Sequence, residues 1–285
     1  MTPELSQRLN EAGLDPQLVD NLIRTALAED GEVDVTSMPI FAPDATATGE
    51  LRAREDGVVA GIPVACAVFE ELDIAYDPRV EDGDSVVSGQ VLIVVSGLTR
   101  AVLRAERTAL NLLTHLSGIA TATRQWTDAM AGTKAKVRDT RKTLPGLRTL
   151  QKYAVQCGGG VNHRMGLSDA ALIKDNHVTA AGSITKAYEA IRAVYPSLHI
   201  QVECDTLEQV EEALTVGAAS ILLDNMTDEE MVEAVRLVAG QAEVEASGGL
   251  TLERARDVAV TGVDYLAVGA LTHSAHVFDI GLDFT

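Results

Sequence analysis

Six short apolar runs between residues 135 and 271 alternate with helix-like segments, and no other feature of the chain limits its fold so tightly. The runs are AKVRDT (135–140), AALIKDN (170–176), HIQVECD (199–205), SILLDN (220–225), EVEASGG (243–249) and YLAVGAL (265–271), and each ends in polar or small residues. The segments between them include ITKAYEAIRAVY, LEQVEEALTVG, DEEMVEAVRLVAG and LERARDVAVTG, whose apolar residues recur at helical spacing. Strands about 20–30 residues apart with helical crossovers form βαβ units and hence a parallel sheet. Repetition of this kind favours a β/α barrel over an open doubly wound sheet. No GxGxxG follows the first run, which weakens a dinucleotide-binding reading. The segment 117–271 is also short against the ~250 residues of a complete eight-stranded barrel. The expectation is an open, incomplete barrel.

The preceding residues have a different texture. Residues 1–30 carry Leu18, Leu22, Ile23 and Leu27 near helical spacing. From about 46 to 96 the pattern is strand-like, with Asp56-Gly57 and Asp82-Gly83 between apolar runs, a hairpin signal. The stretch EDGDSVVSGQ is similar to the hairpin of biotinyl and lipoyl carriers, but it has no lysine to modify and reads as scaffold. Residues 99–131 are rich in Ala and Leu and predict one or two helices broken near Ser117-Gly118. The tail HVFDIGLDF alternates Phe278, Ile280, Leu282 and Phe284, a half-buried strand expected to return to the N-terminal sheet. The expected domains are therefore 1–116 with the tail 272–285, and 117–271.

Charge is distributed unevenly. The chain has 42 acidic and 23 basic residues, a net charge of -19. Yet Lys134 to Lys174 holds nine Lys/Arg and two acids, a net of +7. An acidic body argues against general binding to nucleic acid or anionic membrane, while a compact basic island suits a small, highly charged anion. Three scattered cysteines (Cys66, Cys157, Cys204) give neither a disulfide framework nor a zinc site, and a reducing cytoplasm is the default. The N-terminus lacks a signal-peptide pattern, and no apolar run reaches the ~18 residues of a membrane span.

In β/α barrels the carboxyl ends of the strands form the active face. Here those ends carry Arg138 and Asp139, Lys174, Glu203, Asp224, Ser247 and Gly269. Arg141, Lys142 and Arg164 follow strands or sit in glycine-rich loops; Arg suits bidentate pairing with carboxylate or phosphate, and Lys acts as a point charge. CGGGVNHR places three glycines before His163-Arg164, so backbone N–H groups can approach a ligand. Glu203 and Asp224 can hold Mg²⁺, bind ribose hydroxyls or stabilise developing positive charge. The turns SGG (247–249) and GAL (269–271) suit phosphate. His163 is favoured over His115, His177 and His273 as a polar contact to substrate, and Arg138 reads as support for the site.

The stretches ERTALNLLTHLSGIAT, RDTRKTLPGLRTLQKYAV, GGGVNHRMGLSDAALIKDNH and SGGL…GVDYLAVGALTH resemble the quinolinate phosphoribosyltransferase family, the carboxylating nicotinate-nucleotide pyrophosphorylases. The resemblance implies a pentosyl transfer: quinolinate and phosphoribosyl pyrophosphate give nicotinate mononucleotide, pyrophosphate and CO₂ with Mg²⁺, in de novo NAD synthesis. It implies an N-terminal α/β sandwich, a seven-stranded open barrel, and a homodimer or a higher oligomer built from it. It assigns Lys142, Lys174, Glu203 and Asp224 to catalysis, with Glu203 and Asp224 holding Mg²⁺ directly or indirectly. Substrate contacts fall to those four, to Thr140, Arg141, His163, Arg164, Ser247, Gly248, Gly249, Gly269, Ala270, Leu271 and His273, and to Arg107 reaching a partner subunit's site. Rival readings are a phosphoribosyltransferase-like protein of molybdenum transport operons and a barrel aldolase or decarboxylase using Lys174 as a Schiff-base amine.

Overall fold

Two capped, proline-led helices open the chain. Thr2 accepts from the Leu5 N–H ahead of α1 (Pro3–Glu11), and Asp15 accepts from the Gln17 N–H ahead of α2 (Pro16–Glu29). There follow α3 (Ser37–Ile40), β1 (Thr46–Ala53), β2 (Gly57–Val58), α4 (Ile62–Glu71), β3 (Ala75–Pro78), β4 (Ser85–Val86), β5 (Val91–Leu98) and α5 (Thr99–Ala129). The computed structural model describes residues 1–285. Their contacts cluster into two units: Met1–Arg124, Thr149–Gly159 and Ser274–Thr285 in the first, and Gln125–Arg148 with Gly160–His273 in the second. In this division the first unit runs on into α5 as far as Arg124 and takes in 149–159.

After α5 come β6 (Lys136–Arg138), α6 (Arg148–Cys157), β7 (Ala171–Ile173), α7 (Asp175–Ala181), α8 (Ile184–Val194), β8 (Ile200–Cys204) and α9 (Leu207–Thr215). The chain ends with β9 (Ser220–Asp224), α10 (Asp228–Val238), β10 (Glu243–Ser247), α11 (Ala255–Val260), β11 (Tyr265–Ala267), α12 (Ala270–His273) and β12 (Ile280–Phe284).

In the first unit a four-stranded antiparallel sheet runs β12-β1-β5-β3. The tail strand β12 pairs with β1 from Gly49↔Phe284 to Ala53↔Ile280. Neither Asp-Gly pair makes the expected local hairpin: β1 pairs with β5, and β2 with β4. The reason is tertiary. Asp82 uses one carboxylate oxygen to accept from the Ile62 N–H at 2.8 Å and the other from the Tyr153 hydroxyl at 2.6 Å, and burial pushes its pKa up. Gly57 has no positive φ; it is small because Phe278 and Thr121 pack where a Cβ would stand.

Helix α5 is continuous, against the expected break near Ser117-Gly118. Gly118 admits the backbone at His276: a Cβ would lie 2.0 Å from that carbonyl oxygen. Ser117 Oγ accepts from the Ala60 N–H at 3.1 Å. Both small residues serve packing, and the helix tolerates the ~1 kcal/mol propensity cost of one glycine.

In the second unit a parallel six-stranded sheet runs β6-β11-β10-β9-β8-β7, so all six apolar runs form strands. The strand order makes β6 and β7 edges. Six strands stand where the resemblance implied seven; Val161 makes one isolated parallel bridge to Arg138 on the β6 edge, just after the glycines at 158–160. Capping boxes at Thr206/Gln209 and Thr227/Glu230 start α9 and α10 directly after β8 and β9. Register and the two-residue strand period then select one face. Row partners Ala267↔Arg138, Glu245↔Tyr265, Glu245↔Leu222, Glu203↔Leu222, Ser247↔Asp224 and Leu172↔Gln201 share it.

Candidate active site

A cavity of about 340 Å³ opens on that face. Its walls are Thr140, Arg141, Lys142, His163, Arg164, Leu172, Lys174, Glu203, Leu222, Asp224, Glu245, Ser247 and Ala267. Lys174, Asp224 and Ser247 lie at or just past strand carboxyl ends, and Glu203 one residue before the end of β8. Thr140 to Lys142 follow β6, where the Thr140 hydroxyl accepts from the Lys142 N–H at 3.0 Å. A second cavity of about 360 Å³ lies among Lys134, Glu243 and Asp264, near the amino ends of the strands, away from this chemistry.

The cationic wall is made by Arg141, Lys142, His163 and Arg164. Arg164 donates to the Ala170 carbonyl at 2.9 Å. Burial, and after it the charge of Arg141, lowers its pKa from the usual guanidinium value. Two guanidiniums are thus held near enough to repel. The buried Nε of Arg141 has no hydrogen-bond partner. Both features suit an anion against this wall. The loop behind them is tied by Asp169, which accepts from the Met165 and Gly166 N–H groups; these outweigh burial and lower its pKa.

Across the cavity, Lys174 Nζ donates to Glu203 Oε2 at 2.7 Å. Asp224 Oδ2 accepts from Asn225 Nδ2 at 2.7 Å. Asn225 is left-handed (φ 55) and donates its N–H to the Ser247 carbonyl at 2.9 Å. Gly248 (φ +88) leaves room for this turn, since its Cβ would lie 2.2 Å from Asn225 Oδ1. Gly269 does the same for Lys142, whose Cδ would stand 2.9 Å from a Cβ there. The Thr272 hydroxyl donates to the Lys142 carbonyl at 2.8 Å. No three His, Cys, Asp or Glu side chains converge anywhere in the chain as a metal cage.

Of the sequence-derived candidates, Thr140, Arg141, Lys142, His163, Arg164, Lys174, Glu203, Asp224 and Ser247 line the cavity. Gly248, Gly249, Gly269, Ala270, Leu271 and His273 do not; Gly248 and Gly269 shape it, His273 lies near Gly269, and Leu271 is buried. Arg107 is exposed on α5 in the first unit. Arg138, expected as support, donates to Glu245 Oε2 at 2.7 Å and stacks 3.5 Å over the Tyr265 ring centroid. Sequence reasoning missed Glu245 and Gln201. The available signal was a polar residue inside a strand that should read as continuous apolar because both its faces are covered.

The family descriptions "Quinolinate phosphoribosyl transferase, N-terminal domain" and "C-terminal domain" match residues 34–117 and 119–283. The chain is 52% identical over 272 residues to "Nicotinate-nucleotide pyrophosphorylase [carboxylating]" of Mycobacterium leprae, covering 92% of this chain and 95% of that one. It is 41% identical to the probable enzyme of the same name from Bacillus subtilis, with 91% and 90% covered. The crystal structure of nicotinate-nucleotide pyrophosphorylase from Ehrlichia chaffeensis superposes with a TM-score of 0.90 at 41% identity, covering 93% of this chain and 98% of that one.

Proposed function

Because the chain belongs to the quinolinate phosphoribosyl transferase family, we infer that it transfers the phosphoribosyl group of phosphoribosyl pyrophosphate to quinolinate with decarboxylation, giving nicotinate mononucleotide in NAD synthesis. The observation that best supports this reading in the site is the Arg141–Arg164 pair. Neither guanidinium is in an ion pair, and the buried Arg141 Nε has no partner. Quinolinate, a planar dianion, supplies two carboxylates to such a wall. Lys174 is paired with Glu203 rather than set in an apolar pocket, which disfavours a Schiff-base amine.

The chain's own residues then divide the work. Arg141, Arg164 and His163 orient the dicarboxylate so that the pyridine nitrogen faces the anomeric carbon of the ribose. That nitrogen is the nucleophile, and the bond to pyrophosphate breaks as the new C–N bond forms. Glu203 and Asp224 face the positive charge that develops on the ribose ring. Lys142 and Lys174 face carboxylate or phosphate oxygens, and the turns at Ser247–Gly249 and Gly269–Leu271, with Thr140 and His273, bound the phosphate side. As CO₂ departs, its bonding electron pair stays on the ring carbon beside the pyridinium nitrogen, whose positive charge stabilises it until that carbon takes a proton from solvent. Glu203 and Asp224 are the carboxylates in the cavity that would hold Mg²⁺, an ion usually bound through one or two carboxylates. When bound, it would supply positive charge against pyrophosphate.

The six-stranded sheet is read as an open barrel with the Val161 bridge standing for a seventh strand, and the first unit as an α/β sandwich. Arg107 is the candidate to enter the site of a second copy in a homodimer. Three free cysteines suit a reducing cytoplasm. The test is mass-spectrometric detection of nicotinate mononucleotide from quinolinate, phosphoribosyl pyrophosphate and Mg²⁺. Product from nicotinic acid but not from quinolinate would overturn the reading.

A further inference from the structure

We propose that Glu245 is a positioning residue that, through Gln201, fixes the proton of His163 on Nε2 and so holds the His163-Arg164 wall in its binding arrangement. The proposal deepens the reading above and rests on it for the ligand.

Glu245 lies in the middle of β10 between Val244 and Ala246 and is 1% exposed. Burying a carboxylate is costly unless it is paired and hydrogen-bonded. Its Oε2 accepts from Arg138 Nη1 at 2.7 Å and from Gln201 Nε2 at 3.3 Å. Its Oε1 is buried, has no hydrogen-bond partner, and lies 3.5 Å from His163 Nε2. Arg138 balances the charge, and the other half of the carboxylate is aimed at the imidazole from beyond hydrogen-bond reach.

Donors and acceptors here can be arranged in one way. An ionised carboxylate only accepts, so Gln201 must turn its NH₂ toward Glu245. Gln201 thereby presents Oε1 to His163 Nε2, at 2.8 Å. Nε2 is then flanked by two acceptors, Gln201 Oε1 and Glu245 Oε1. On the other side of the ring, Nδ1 accepts from the Arg164 N–H at 2.7 Å. That backbone group cannot reverse its role. Both ends therefore agree on one form, with the proton on Nε2 and Nδ1 bare.

The ring also fixes the wall. His163 donates its own N–H to Asp139 Oδ1 at 2.9 Å, and Asp139 is fully buried. Arg164 is tied to the ring through Nδ1, so rotation of the imidazole moves the residue that carries the second guanidinium. Glu245 touches neither of the two guanidiniums on that wall; its influence passes through a glutamine and a ring.

The experiment uses full-length protein labelled with ¹⁵N-histidine, the His163 signals being assigned by difference against His163→Asn. Ligand-free wild type should show a protonated Nε2 and a bare Nδ1. Glu245→Gln lets the 201 amide turn either way; a turned NH₂ opposes the Nε2 proton, the ring rotates off the Arg164 N–H, and the two nitrogens should shift toward a mixture. Its quinolinate KM should rise about tenfold or more, as expected when a binding group is misplaced by a fraction of an ångström. The KM for phosphoribosyl pyrophosphate should stay within about twofold. Glu245→Asp, still acceptor-only, should keep the wild-type tautomer. Should Glu245→Gln fail to fold, Gln201→Met removes the acceptor of the Nε2 proton, leaves the Arg138–Glu245 pair, and should free the ring to turn off the Arg164 N–H and give the same mixture. An unchanged tautomer in the folded variant, or equal rises in both KM values, overturns the proposal. The tautomer needs no substrate, so absence of quinolinate turnover would defeat the functional reading without deciding this one.

Discussion

Gly248→Ala isolates the turn that holds Asp224. An alanine there keeps φ near +88, which costs a non-glycine residue about 1–2 kcal/mol. Its Cβ would also lie 2.2 Å from Asn225 Oδ1 and 2.9 Å from the Asn225 backbone nitrogen. The side chain can swing away; the backbone nitrogen cannot, because it donates to the Ser247 carbonyl at 2.9 Å. Swinging away breaks the 2.7 Å bond from Asn225 Nδ2 to Asp224 Oδ2, and a hydrogen bond to a charged group contributes about 1.5–3 kcal/mol. The two effects together are about 2.5–5 kcal/mol, or on the order of 10 °C in melting temperature for a chain of this size. A displaced Asp224 should lower kcat/KM for phosphoribosyl pyrophosphate by roughly 100-fold. Gly217→Ala is the control, since Gly217 has φ +76 and a methyl added there would meet nothing within 4 Å. It should show the backbone strain alone, about 1–2 kcal/mol, with turnover unaltered. Calorimetry and steady-state kinetics on the two variants give the difference. Were Gly248→Ala to match Gly217→Ala in both, Asp224 would not depend on the Asn225 turn and the reasoning would fail.

Three further outcomes are expected. Arg141→Ala should raise the quinolinate KM roughly 10–100-fold, the loss of a charge-assisted contact, and a near-wild-type kcat/KM would remove Arg141 from the binding wall. Gly118→Ala should lower the melting temperature although alanine is the better helix former: the clash 2.0 Å from the His276 carbonyl outweighs the ~1 kcal/mol propensity gain, and a rise would refute the packing role. Burial pushes the Cys66, Cys157 and Cys204 thiols up to about 12, so at pH 8 thiolate is scarce. Native protein should react slowly with iodoacetamide and unfolded protein at all three positions; rapid native labelling of Cys204 would contradict its burial.

The second unit was legible from the sequence because two periods coincide there. Helical spacing gave the crossovers, and polar endings on apolar runs gave Lys174, Glu203, Asp224 and Ser247, all of which reach one cavity. Glu245 and Gln201 escaped because they stand inside strands, where only the register tells which of two faces a residue takes. The Asp-Gly pairs misled for the opposite reason. The turn geometry is present at Gly83 but not at Gly57, and pairing between β1 and β5, some 40 residues apart, decided the sheet. Gly118 was read as a break because a sequence cannot show that another backbone segment needs its space.

The pairing of β12 with β1 sets an order on synthesis. The last strand, Ile280–Phe284, supplies one neighbour of a strand made near the beginning. While the chain is still on the ribosome, β1 has β5 on one side and bare N–H and C=O groups on the other, a template for unwanted pairing. The amino-terminal sheet is finished only once residues 280–284 have been made. Loss of those residues would therefore leave the second unit's sequence whole and the first unit's sheet with an open edge.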